Sequence, residues 1–166
     1  MPKTRKLALM AMFTAASLIV FVIEAQIPAP IPVPGVKLGL ANIVTLIAMV
    51  MLGRREAGLI LLVRIAMGSM FTGGVSAFIF SIAGGALAYA VMCLTLKLFP
   101  EKLLWVVSVL GAAAHNLGQL AAAIIITKTS SLILYAPVLL ASAVVTGAFT
   151  GFAAMYLTQR LDKRVG

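Results

Sequence analysis

The chain has 166 residues, 63% of them hydrophobic and only 10% charged, with a mean hydropathy of +1.16. A soluble domain is about a quarter charged, so this composition excludes a water-soluble globule and points to an all-α integral membrane protein, read as a single domain over 1–166. Thirteen Lys and Arg against four Asp and Glu give a net charge of +9; lying between apolar runs, the basic residues are topology signals rather than a nucleic-acid surface.

The segment MPKTRKLALMAMFTAASLIVFVIEAQ begins basic and continues apolar from Leu7 to Ile23. Such a stretch is long for a signal-peptide core and is read as a retained first membrane helix. Oily runs and their interruptions then predict six helices, at approximately 6–27, 38–53, 56–72, 75–98, 103–126 and 132–158. The breaks are the proline-rich loop after the first helix, RRE at 54–56, TGG at 72–74, PEK at 100–102 and TKTSS at 127–131. In that first loop Pro28, Pro30, Pro32 and Pro34 alternate, which favours a stiff polyproline-like strand. Ile27, Ile31 and Val33 make it apolar, as expected of a loop that caps a pocket or lines its entrance.

Orientation follows from the distribution of basic residues. With the N-terminus in the cytoplasm, that side collects Lys3, Arg5, Lys6, Arg54, Arg55, Lys97, Lys102, Arg160, Lys163 and Arg164. The other side has Lys37 and Lys128, and Arg64 falls within a span. This positive-inside bias is expected to place both termini in the cytoplasm. Small residues recur at four-residue spacing, as Ala11 and Ala15, as Ala77, Ser81 and Gly85, and as Ala143, Gly147 and Gly151. Such stripes let helix backbones approach closely in lipid. On the later helices they are read as internal packing, and on the first also as a surface for a partner.

Ionisable and amide side chains are costly within a bilayer, so each is a candidate site. The set is Glu24, Asn42, Arg64, His115, Asn116 and Gln119, with Lys37 just outside a span. By helical rise all but Arg64 fall in the outer half, which suits a wet pocket open to the extracellular side. Each also has a structural reading: an Arg64–Glu24 ion pair, a satisfied bundle histidine, or amides that tie helices together. One His and one Cys make no ordinary zinc site, the phosphate-loop pattern is absent, and the four acidic residues lie on separate segments. No catalytic residue, metal site or cofactor is expected.

The stretches GVKLGLANIVTL (35–46), VRIAMGSMFTGGVSAFIFSIAGGALAYAVM (63–92) and AAAHNLGQLAAA (112–123) resemble the bacterial Gx transporter family, also named heptaprenyl diphosphate synthase component I. That family is similar in turn to the S-components of energy-coupling-factor vitamin transporters. The resemblance implies six helices with cytoplasmic termini, an outward-opening pocket, and docking through an A-x-x-x-A surface, matched here by Ala11 and Ala15. It implies a substrate-binding subunit, energised by a separate coupling subunit and ATPases, that takes up an anionic or polar solute such as a vitamin, flavin or quinone precursor. On that reading Arg64 and Lys37 attract the anion, His115, Asn116, Gln119 and Asn42 give directional hydrogen bonds, and Glu24 orients Arg64 or meets the ligand. The synthase name implies instead a non-catalytic membrane subunit in polyprenyl diphosphate synthesis. A third reading is a proton-coupled carrier using Glu24 and His115, disfavoured because no inverted repeat is visible.

Overall fold

A computed structural model describes residues 2–27, 37–72 and 74–165, leaving aside the side chains of 72, 74 and 161–165. The alternating-proline loop at 28–36 lies outside the described residues. Among the described residues six α-helices follow in order: α1 (Lys3–Gln26), α2 (Asn42–Met51), α3 (Arg54–Thr72), α4 (Gly74–Leu98), α5 (Leu104–Thr127) and α6 (Ala136–Val165). Short 3-10 turns at Glu101–Leu103 and Ser130–Tyr135 lead into α5 and α6. Pro137 falls in the first turn of α6, where a missing N–H costs no helical hydrogen bond.

Among the described residues, four helical stretches are long and apolar enough to cross a membrane: Lys3–Gln26, Val75–Leu98, Glu101–Thr127 and Ser130–Arg160. They make this a membrane protein. The expectation of six spans is therefore met by six helices but not by six such stretches. The third helix, α3, carries Arg54, Arg55, Glu56 and Arg64 within its 19 residues.

The second, α2, has ten residues instead of the sixteen expected and rises about 15 Å, half the thickness of a hydrocarbon core. Gly39 at φ +81° precedes it and Gly53 at φ +103° follows it, both in the left-handed region. Seven of its ten residues are buried, so α2 acts as the bundle's internal plug. Leu46, Ile47, Ala48 and Met49 form a core with Ala57 and Ile60 of α3, Ala88 and Met92 of α4, Leu104 and Val107 of α5, and Ala154 of α6. A second core, Phe80, Leu120, Ala122, Ala123 and Leu139, joins α4, α5 and α6 toward the other end.

Glycines set the closest helix crossings. A Cβ on Gly118 of α5 would sit 2.6 Å from the Ala83 carbonyl oxygen of α4. Cβ atoms on Gly147 and Gly151 of α6 would sit 2.6 Å from the Val109 Cα and 2.5 Å from the Trp105 Cα of α5. These are backbone contacts, the packing mode that lipid favours. The α4 stripe lies differently: Gly85 faces the side chains of Ile65 and Leu61 on α3. At its far end α5 stops on Lys128, the one non-glycine residue at positive φ (+53°) among those described.

Candidate functional site

On α1 the three buried residues are Ser17, Phe21 and Glu24, spaced i, i+4, i+7 on one face. That face meets residues 37–41 and the start of α2. The Glu24 carboxylate accepts the Gly39 N–H through Oε1 and the Ala41 N–H through Oε2, the latter at 3.4 Å. It thus sits where the free amides and dipole of α2 favour an anion. The backbone N–H of Lys37 donates to Oε1 of Gln119 at 3.0 Å, tying the same short segment to α5.

Phe21 is the hinge of the arrangement. The Lys37 ammonium lies 3.5 Å from its ring centroid and the Arg64 guanidinium 5.4 Å, so two cations share one π-face system. The ring lies flush on α3 because Gly68 has no side chain; a Cβ there would come within 2.6 Å of the ring. Two further glycines pin the α5 residues. A Cβ on Gly39 would lie 2.8 Å from Cδ2 of His115 and 3.1 Å from Nδ2 of Asn42. On the opposite side, a Cβ on Gly84 would lie 2.8 Å from Cγ of Gln119 and 2.9 Å from Nδ1 of His115.

Glu24, Lys37, Asn42, Arg64, His115 and Gln119 therefore come together from α1, the 37–41 segment, α2, α3 and α5. All but Lys37, which is partly exposed, are buried. Within this cluster, Nε and Nη2 of Arg64, Nζ of Lys37 and Nδ2 of Asn42 have no hydrogen-bond acceptor among the described residues. The hydroxyls of Ser17 and Thr45 are likewise without a partner there, whereas Nδ1 of His115 lies against the Gly84 backbone. The balance is uneven: two cations and an amide donor seek acceptors, while the single carboxylate is committed to backbone amides. Lys37 is pushed down to about 8, chiefly by burial, with Glu24 opposing and Arg64 adding to the shift.

The family model described as heptaprenyl diphosphate synthase component I matches residues 13–157. The chain belongs to that family. No curated protein and no solved structure matches it. Every member of the polar cluster lies within the stretch that matches component I; of the two alanines on α1, Ala15 lies inside it and Ala11 just before it.

Asn116 stands apart from its neighbour His115. It is fully buried, and its Nδ2 donates to the Leu139 carbonyl at 2.8 Å and to the Ser142 hydroxyl at 3.5 Å, both on α6. It ties α5 to α6 and does not face the cluster. Ala11 and Ala15 lie on the exposed side of α1, beside Leu7, Met12 and Ile19. Arg64 and Glu24 do not form a direct ion pair within salt-bridge distance; Lys6 and Glu56 do, near the end of the bundle that carries the N-terminus.

Sequence reading missed Phe21, Ser17, Thr45 and the glycines at 39 and 84. The i, i+4, i+7 spacing of Ser17, Phe21 and Glu24 was available to find the first two. Of the glycines' close approaches the chain gives no local sign. Among the described residues no three His, Cys, Asp or Glu side chains group as metal ligands. Among the described residues the cluster offers charge and hydrogen bonds.

Proposed function

We propose that this component I protein is a substrate-binding membrane subunit whose buried cluster receives the anionic group of a small solute. The observation that carries the reading is Arg64: a guanidinium 2% exposed, with two N–H groups unanswered and the nearest carboxylate engaged elsewhere. An unsatisfied buried donor costs about 1–3 kcal/mol, more when charged, so an acceptor from outside the chain completes the arrangement. Arg64 and Lys37 supply charge, Asn42 and His115 direction, and Glu24 and Gln119 hold the 37–41 segment over the site. The solute enters from the side opposite the termini, which lie in the cytoplasm. The protein is one integral domain of a bacterial cytoplasmic membrane, and the exposed Ala11–Ala15 face of α1 meets a coupling subunit driven by ATPases.

Thermal unfolding of the detergent-purified protein with flavins, carboxylated quinone precursors and prenyl diphosphates tests this. Saturable stabilisation by an anionic compound, abolished in Arg64→Gln and Lys37→Met, is the expected result. Equal response of wild type and both variants, or none to any anion, overturns it.

The family's description favours a second reading, a non-catalytic membrane component of a heptaprenyl diphosphate synthase. Co-purification with a prenyl-transferring partner, in place of an ATPase module, selects that alternative.

A further inference from the structure

Away from the buried cluster, α3 and α4 enclose a groove of about 490 Å³, lined by Arg55, Leu59 and Leu62 on one side and by Ile82, Ala86 and Tyr89 on the other, with Gly58 in its floor. Both walls are built from residues at i, i+4 and i+7, so each is one stripe of its helix, and the two stripes face each other for about 10 Å. The groove exists because Gly58 and Ala86 are small; a Cβ on Gly58 would already be 3.1 Å from the Tyr89 hydroxyl. That hydroxyl donates to the Arg54 carbonyl at 2.8 Å, which fixes Tyr89 across the seam at the groove's mouth. Leu59 and Leu62 are more than half exposed, so among the described residues nothing covers the channel.

Polarity is confined to one end. Arg54 and Arg55 stand at the mouth, and the adjacent carboxylate, Glu56, is paired with Lys6. The other lining residues, Tyr89 apart, are hydrocarbon. We infer that this groove holds one acyl chain of an anionic membrane phospholipid, with its phosphate-bearing headgroup against Arg55. Charge selects the occupant: a cationic mouth where α3 begins, level with the start of α1 through the Lys6–Glu56 pair, followed by an apolar slot, matches a negative headgroup followed by a tail. A free inorganic anion has no use for the slot, and a zwitterionic lipid gains little at the mouth. The inference depends on the chain being a membrane protein but not on the solute reading above, so either can fail alone.

Native mass spectrometry of the full chain, released from micelles containing equal phosphatidylglycerol and phosphatidylcholine of identical tails, tests it. Wild type is expected to retain phosphatidylglycerol about fivefold more than phosphatidylcholine, what one arginine near an anionic surface contributes. Arg55→Gln is expected to erase that preference while keeping tail binding, and Ala86→Phe, which fills the slot, to lose both lipids. Arg160→Gln, remote from the groove, serves as the matched charge control and keeps the preference. Equal retention of both lipids by wild type, undiminished preference in Arg55→Gln, unchanged binding in Ala86→Phe, or a lipid-free dimer cross-linked through Leu62→Cys each overturns the inference.

Discussion

Glu24 performs two tasks at once: it receives the amides that open α2, and among the described residues it is the one acidic group near Lys37 and Arg64. Removing one partner of a buried charged set typically costs about 3–5 kcal/mol. Glu24→Ala is thus expected to lower the thermal midpoint more than any other single truncation in the cluster, with Glu24→Gln intermediate because it keeps one acceptor. Gly39→Ala combines a left-handed strain of about 1–2 kcal/mol with a contact against the His115 ring; a midpoint equal to wild type would show that the 37–41 segment yields freely.

Lys37 gives a pH signature. It is charged below about pH 8 when folded, whereas the ordinary lysine value is 10.5. Between those values the unfolded state binds more protons, so stability rises with pH across that window, and Lys37→Met flattens the rise. Anion binding moves oppositely, weakening as pH passes 8 and the ammonium is lost. Unfolding midpoints and ligand titrations over pH 7 to 10.5 check both signs.

Which ionisable and amide side chains are sunk in the bundle was legible at this scale, because bilayer cost alone singles them out; the buried hydroxyls of Ser17 and Thr45 were not. Which of them face one another was not. His115 and Asn116 are adjacent in the chain but a helix turns about 100° per residue, so one meets Gly39 and Gly84 while the other meets α6.

At the scale of elements, hydropathy located every helix, with most ends within a few residues. The second was overextended because its start is set by contacts distant in sequence. The Glu24 carboxylate and the positive φ of Gly39 begin α2 at Asn42, and neither belongs to the local apolar pattern. Crossing distances give a sharper test. Gly118→Val places a branched side chain against the Ala83 backbone of α4 and is expected to prevent assembly, read as loss of the monodisperse peak in size-exclusion chromatography. Gly85→Ala meets only the movable side-chain tips of Ile65 and Leu61 and is expected to leave that peak intact.

For the whole molecule, the outstanding quantity is orientation. With ten basic residues assigned to one face against two on the other, the proposed orientation has Lys102 in the cytoplasm and Thr129 outside. In intact cells of a Cys93→Ser background, Thr129→Cys is expected to react with a membrane-impermeant maleimide and Lys102→Cys only after lysis. The reverse pattern would turn the buried cluster toward the cytoplasm and leave no route for uptake into it.

The left-handed turn at Lys128 has a practical corollary. A lysine there bears conformational strain of about 1–2 kcal/mol, which asparagine, tolerant of that backbone, largely relieves. Lys128→Asn touches neither the buried charges nor the lipid-facing slot. It should yield a hardier preparation, slower to aggregate on warming, in which ligand screening is carried out with the binding chemistry untouched.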